Sequence, residues 1–164
     1  MTLCLTVASF GQEMMLNGGL ENWTTGTNPT DWTTAQNITQ ESTEKHAGSF
    51  SAKQTKDASR GRVNLTQNIS KITVGESYSI TFWYKIAVAG KPVKIWCNFR
   101  DNDGGFIGGN DPDVLRANLD VNVNAWTKFE TTVTAPAKAV KFWFEVRTFS
   151  NTTVYWDDFS FFHD

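Results

Sequence analysis

Two segments of strict alternation limit what this chain can fold into more than any other feature. They are Tyr78 to Ile86 (YSITFWYKI) and Val93 to Arg100 (VKIWCNFR). A period of two is the signature of a strand with unlike faces. In the first, Tyr78, Ile80, Phe82, Tyr84 and Ile86 point one way, leaving Ser79, Thr81, Trp83 and Lys85 on the other. In the second, Val93, Ile95, Cys97 and Phe99 form the apolar face, with Lys94, Trp96, Asn98 and Arg100 opposite. The connection Ala87 to Pro92 is short and bears Gly90 and Pro92, which predicts an antiparallel hairpin. Pairing Ile86 with Val93 sets Phe82 against Cys97, Tyr84 against Ile95, and Trp83 directly against Trp96. That would place two indoles about 5 Å apart at Cβ on a polar face.

The remaining chain repeats the pattern. Strands are expected over Phe50 to Thr55, Arg62 to Ile69 (Val63, Leu65, Gln67 and Ile69 inward), Val114 to Val123 and Trp126 to Thr134 (Phe129, Thr131 and Val133 inward). Another runs over Ala139 to Thr148, with Val140, Phe142, Phe144 and Val146 inward and Lys141, Trp143, Glu145 and Arg147 outward. The last is Val154 to Phe161, with Asp157 and Asp158 among aromatics. Thr33 to Glu44 is a weak strand candidate. Turn residues separate these segments and no helical period is sustained, which predicts an all-β antiparallel sandwich. Trp23, Trp32, Trp126 and Trp156 read as packing residues.

A length of 164 residues suits one domain. The 15 Lys and Arg against 17 Asp and Glu give a net charge of −2, which argues against general nucleic-acid binding. No apolar run is long enough to span a bilayer. Residues 1–11 read as the apolar part of a secretory signal, with Ser9 and Gly11 as small residues before a cut near Gln12. They lack the usual basic start, and an apolar N-terminal strand is the other reading. Export would place a single domain, 12–164, in a secreted or cell-surface setting. Cleavage would remove Cys4 and leave Cys97 alone on a core face, without a disulfide partner.

Two motifs invite a metal reading and lose it. His46 has no second His at ligand spacing and reads as a turn residue. Asp101 to Asp113 is rich in Asp and Gly, but an EF-hand register puts Gly105 and Pro112 where oxygen ligands are required. It is expected to be a flexible Gly-rich loop, able to wall a binding site.

Several segments together resemble the carbohydrate-binding modules of families four and nine. They are Asn17-Gly18-Gly19-Leu20-Glu21, His46 to Ser51, Leu65 to Ile69 followed by Gly75 to Tyr78, Trp126 to Phe129, and Tyr155 to Phe161. The resemblance covers about Met15 to Phe161. It implies a galactose-binding-like jelly roll, secreted and non-catalytic, of the kind joined to a catalytic domain in a longer polysaccharide-degrading enzyme. It also implies a structural Ca2+ held by Glu21 and Asp157 with backbone carbonyls near Gly19 and Lys45. Asp157 falls on the inward parity of its strand, and a buried carboxylate needs a cation or several hydrogen bonds. Bonding to loop amides alone is the alternative.

A sugar-binding surface needs flat aromatics to stack on and planar hydrogen-bonding groups beside them. Trp83, Trp96 and Trp143 are the expected platforms, on one sheet. Asn98, Arg100, Lys85, Glu145 and Arg147 are the expected polar contacts. Lys85, Lys94, Arg100, Lys141 and Arg147 face the single Glu145, five cations to one anion and a net of plus 4, which favours an acidic glycan. Three competing readings remain. The tryptophans can be covered by a loop or another domain. The sheet can be an adhesion or structural module that binds a protein through Trp and Arg anchors. A small glycan-cleaving enzyme would need two acids about 5 to 10 Å apart, and Glu145 with Asp101 or Asp103 are the candidates. No nucleophilic Ser motif, metal-binding His pair or phosphate-binding Gly loop is present.

Overall fold

A computed structural model describes residues 11–107 and 115–164, so the predicted signal segment lies almost wholly outside the described residues, as does the second half of the Asp101 to Asp113 loop. Fourteen strands are described: β1 (Gln12–Glu13), β2 (Trp23–Thr25), β3 (Asn28–Pro29), β4 (Thr34–Ala35), β5 (Ile38–Glu41), β6 (Ser51–Lys56), β7 (Arg62–Ser70), β8 (Ser77–Val88), β9 (Val93–Trp96), β10 (Asn98–Arg100), β11 (Arg116–Leu119), β12 (Thr127–Thr134), β13 (Lys141–Phe149) and β14 (Thr152–His163). They form two six-stranded sheets, and β2 and β3 make a small separate ribbon. The first sheet runs β12-β8-β14-β6-β5 with β1 on the edge of β14; the second runs β11-β9-β13-β7-β4 with β10 beside β13. Every pairing is antiparallel. The expected all-β jelly-roll sandwich is the fold, and no described helix is long and apolar enough to cross a membrane.

Parity is borne out along the main strands. Tyr78, Ile80, Phe82, Tyr84 and Ile86 are buried on β8, and Val93, Ile95, Cys97 and Phe99 along β9 and β10. Phe142, Phe144 and Val146 are buried on β13. The predicted hairpin is not borne out. β8 lies in the first sheet, paired with β12 over Tyr84↔Thr127 to Ser77↔Thr134 and with β14 on its other edge. β9 lies in the second sheet, between β11 and β13. The reason is where the apolar faces end up. As hairpin neighbours the two strands would put both apolar faces on one side of the core. On opposite sheets they contribute to its two sides, and the layers meet ring to ring: Phe82 of β8 meets Phe144 of β13 edge-on at 6.2 Å, and Phe142 of β13 stacks on Phe161 of β14 at 4.5 Å. Burying such rings contributes about 2 to 3 kcal/mol each.

The Thr33 to Glu44 candidate likewise divides, β4 joining the second sheet and β5 the first. A polar clasp ties the layers together at Gln54 of β6. Its Oε1 accepts from the Thr148 hydroxyl of β13 at 2.7 Å and from Trp156 Nε1 at 3.1 Å, while Nε2 donates to the Gln36 carbonyl at 3.0 Å. A buried amide so satisfied fixes the stagger of the sheets without the penalty of an unpaired polar group.

The crossover from β8 to β9 is pinned to the turn between β13 and β14. Lys91 N donates to the Ser150 carbonyl at 3.0 Å, and the Thr152 hydroxyl donates to the Lys91 carbonyl at 2.8 Å. A Cβ on Gly90 would lie 2.2 Å from the Asn151 carbonyl oxygen, whereas one on Gly26 would meet nothing. Gly90→Ala should therefore cost about 1 to 3 kcal/mol by urea denaturation, with Gly26→Ala unchanged within about 0.5 kcal/mol. Equal effects would mean that the crossover does not take this path.

Candidate functional site

The outward face of the second sheet gathers most of the residues singled out from the sequence. Ile95 pairs with Val146 and Asn98 with Trp143, so that Trp96 lies abreast of Glu145 across β9 and β13. Arg116 of β11 pairs with Trp96 from the other side. Trp96 is thus flanked by two guanidiniums, Arg116 at 4.3 Å and Arg147 at 4.1 Å from the ring centroid. Trp143 carries the Arg100 guanidinium at 4.3 Å, and the same group lies 4.7 Å from the Phe106 ring. Each contact is within the range of cation–π attraction.

Glu145 joins the two clusters. It is 6% exposed, its Oε1 accepts from Arg147 Nε at 2.6 Å, and its Oε2 accepts from Trp143 Nε1 at 3.0 Å. A carboxylate taken this far out of water is held by charge-assisted bonds on both oxygens. Asn98 is also buried, with Oδ1 3.4 Å from Arg100 Nε. Beneath the face, Cys97 Sγ lies against the backbone of Glu145, and burial pushes its thiol well above the ordinary range, so it is an inert packing group.

Trp83 and Lys85 stand elsewhere, on the outer face of the first sheet. Trp83 pairs across the strands with Asp157 and Lys128. The His46 ring stacks on it at 3.9 Å and 15°, and Trp126 meets His46 edge-on at 5.9 Å. Lys85 Nζ is engaged by Glu44 at 2.6 Å. For Trp83 the covered reading holds, and the expectation of three tryptophans on one sheet is corrected to two. The expectation failed with the hairpin, because a strand moved to the opposite sheet takes its outward side chains to the opposite side of the molecule. Conversely, the sequence reading passed over Arg116 and Phe106. Val114 to Val123 reads from sequence as a strand without assigned faces, and only the β11–β9 pairing brings Arg116 to Trp96.

Asp101 does not converge with Glu145 chemically. Its Oδ1 accepts from the amides of Asp103 at 3.0 Å and Gly105 at 2.7 Å, closing a tight turn that returns Phe106 to pair with Arg100. The wall this loop was expected to supply is represented among the described residues by Phe106, which is 66% exposed.

The carboxylates expected to hold calcium surround the 44–50 loop. Glu21 accepts from Ser49 N at 3.0 Å and Phe50 N at 3.1 Å, and a Cβ on Gly48 (φ 61°) would lie 2.1 Å from Glu21 Oε1. Asp157 is fully buried; Oδ2 accepts from His46 N at 2.8 Å and Ala47 N at 3.3 Å, and Oδ1 from Asp158 N at 2.8 Å. Burial pushes its carboxyl up to about 6, against the pull of those amides. Asp158 Oδ2 lies 2.6 Å from His46 Nδ1. Gly19 borders the same cluster, 3.7 Å from Asp158 Oδ1 if extended to Cβ. The Lys45 ammonium donates to the Ser42 carbonyl at 2.7 Å, which leaves only its backbone as a ligand candidate. No described cluster of three or more His, Cys, Asp or Glu side chains is placed to hold a metal, so most of any coordination shell would be backbone oxygen. Glu21 and Asp157 make no ion pair among the described residues, and a buried Asp kept off its ordinary pKa fits a hard cation.

Comparison with known proteins agrees with this architecture. The family model described as a carbohydrate binding domain (families 4 and 9) matches residues 9–153. No curated protein sequence matches the chain. Among solved structures, the enzymatically active domain of bacteriophage CBA120 tailspike protein 4 superposes with a TM-score of 0.70 at 17% identity, over 91% of this chain and 21% of that one. The chain thus spans about a fifth of the length of that tailspike domain. A family 16 carbohydrate-binding module superposes at 0.64 with 17% identity, over 90% of this chain and 98% of that one. The CBM22-1 xylan-binding domain of Paenibacillus barcinonensis Xyn10C does so at 0.61 with 14% identity, over 94% and 96%. At these identities the likeness is one of fold.

Glu145→Ala should destabilise the fold by about 3 kcal/mol in urea denaturation, because Arg147 and the Trp143 N–H lose their shared acceptor inside a half-buried network. A change below about 0.5 kcal/mol would mean that the network is solvated and contributes little.

Proposed function

The chain belongs to the family 4/9 carbohydrate-binding domains, and we propose that it binds a polysaccharide or oligosaccharide, without cleaving it, on the outward face of its second sheet. The observation that carries this reading is the pair of indoles, Trp96 and Trp143, held among Arg100, Arg116, Arg147 and Glu145. Sugars offer C–H faces and a rim of hydroxyls. Indole faces suit the C–H groups and guanidinium N–H donors suit the hydroxyls. A shallow hollow of about 150 Å³ beside Trp96, lined by Lys94, Arg116, Ala117 and Asn118, gives room for part of one sugar unit.

Two features favour this over the alternatives. The face presents one carboxylate, Glu145, and both its oxygens are taken, which leaves no free acid–base pair for glycoside hydrolysis among the described residues. Exposed large apolar side chains (Leu16, Val74, Val88, Phe106 and Phe162) are spread over separate elements rather than gathered into a protein-docking patch. An extracytoplasmic setting, as one module of a longer carbohydrate-active protein, belongs to the same proposal. So does a structural Ca2+ on Glu21 and Asp157, with carbonyls near Gly19 and Lys45, which would supply the positive charge that the buried Asp157 lacks.

In affinity gel electrophoresis against a panel of soluble polysaccharides, Trp96→Ala and Trp143→Ala should each weaken retention ten- to a hundredfold, about 1.4 to 2.8 kcal/mol. Trp83→Ala, on the other sheet, should leave it unchanged. Loss of binding in Trp83→Ala alone would move the site to the first sheet. For the metal, saturation with calcium at a hundred times its dissociation constant should add about 2.7 kcal/mol to stability at pH 7, an increment that Asp157→Asn abolishes. In calcium-free buffer the raised Asp157 pKa works the other way. The folded state holds a proton that the unfolded chain has already released, so stability should fall as pH rises from about 4 through about 6. A metal-free stability flat across that window would mean that Asp157 is ionised at no cost.

A further inference from the structure

The outward face of the second sheet holds more positive charge than its own carboxylate absorbs. Arg62, Lys94, Arg100, Arg116, Lys141 and Arg147 stand there with Glu145, six cations to one anion and a net of plus 5 among the described residues, in a chain whose total is −2. The structure removes Lys85 from the expected set and adds Arg62 and Arg116. Arg147 is committed to Glu145. Arg100 and Arg116 make no ion pair among the described residues; the polar contact of Arg100 is the long one to Asn98. Burial already pulls the Arg100 pKa down, the direction expected of a cation kept partly from water with too little countercharge.

Both guanidiniums nevertheless rest over aromatic rings, within 4.7 Å of the ring centroids. Arg100 lies between Trp143 and Phe106, and Arg116 lies against Trp96. A guanidinium resting on an aromatic face keeps its N–H donors directed outward in its own plane, and much of its rotamer freedom is lost before any ligand arrives. Such a group is prepared for an oxyanion gripped by two parallel N–H···O bonds. It is less suited to a neutral hydroxyl, which cannot accept two bonds in that geometry.

We propose that the ligand is a glycan bearing oxyanions and that Arg100 and Arg116 are the residues that read them; this rests on the carbohydrate-binding reading above. Arg116 pairs with Trp96 of β9, and the backbone of Arg100, in β10, lies four residues beyond Trp96, about 13 Å at the rise of a strand. Two guanidiniums set on different strands suit an oligomer with anionic groups repeated along it. Uronic-acid carboxylates and sulfate esters share the chemistry, both being matched by the guanidinium fork. The indoles then serve chiefly to hold the arginines, with the neighbouring Asn68 and Asn118 left for the sugar rim.

The test is affinity gel electrophoresis of the whole chain at two salt concentrations against four polymers: polygalacturonate, its methyl ester, dextran sulfate and unmodified dextran. Retention by polygalacturonate and not by its ester assigns a carboxylate; retention by dextran sulfate alone assigns a sulfate; either supports the proposal. Arg100→Lys and Arg116→Lys keep the charge and lose the planar fork. Each should weaken binding to the acidic polymer roughly tenfold, the loss of one charge-assisted hydrogen bond, with an unchanged melting temperature showing that the fold is intact. If the lysine variants bind as the parent does, the attraction is diffuse charge and the proposal is overturned. If ester and acid forms are retained equally while Trp143→Ala releases both, the glycan site stands and the anionic ligand does not. If Trp143→Ala releases nothing and no polymer is retained, the carbohydrate-binding reading itself falls.

Discussion

Everything in this molecule depends on two amphipathic sheets closing their apolar faces on each other. Phe82, Phe159 and Phe161 from the first sheet meet Trp32, Phe142 and Phe144, with Trp156 packed beside Phe82 and Phe159, and these ring contacts are mostly edge-on or tilted rather than stacked. That mixture is how rings with a negative face and a positive edge fill a layer densely. Once the layer closes, every residue of opposite parity is forced outward, whatever its chemistry. The tryptophans and arginines on the outside of the second sheet are there because their neighbours one residue away are inside.

The outward position does not leave the indoles bare. Arginines from the strands on either side fold over Trp96, and the turn at Asp101 brings Phe106 back so that Arg100 is held between it and Trp143. What this face offers to solvent is largely a set of oriented N–H donors on an aromatic bed. Stacking cancels part of the hydration each guanidinium loses, and Glu145 neutralises one of them. The balance remains positive, and a surface of that kind selects partners by the sign and geometry of their charge before shape enters.

On the other side of the molecule, carboxylates do a different job. Glu21 and Asp157 bind amides of the 44–50 loop and draw that loop over the first sheet, where His46 comes to rest on Trp83. The aromatic that looked from sequence like a third platform is therefore part of a covered corner. The alternation around Trp83 and around Trp96 is the same, and nothing local distinguishes a ring that will be covered by a loop from one that will be flanked by arginines.

The sequence by itself determined the class of fold and, along β8, β9, β10 and β13, which side chains face in; on β14 parity failed, because Trp156 takes the inward place, Asp157 pairs with Trp83 on the outer face and is buried there by the 44–50 loop, and a register shift after Asp157 resets the alternation. It could do so because side-chain direction along a strand repeats every two residues and needs no knowledge of neighbours. Tertiary structure alone decided which strands pair. It parted β8 from β9 despite the short connection between them, took Trp83 and Lys85 from the candidate site, and brought Arg116 into it from twenty residues beyond Trp96. Pairing is settled by how both apolar faces of the whole chain are buried at once. That competition is non-local, and a six-residue linker with a glycine in it fits the crossover as readily as the hairpin.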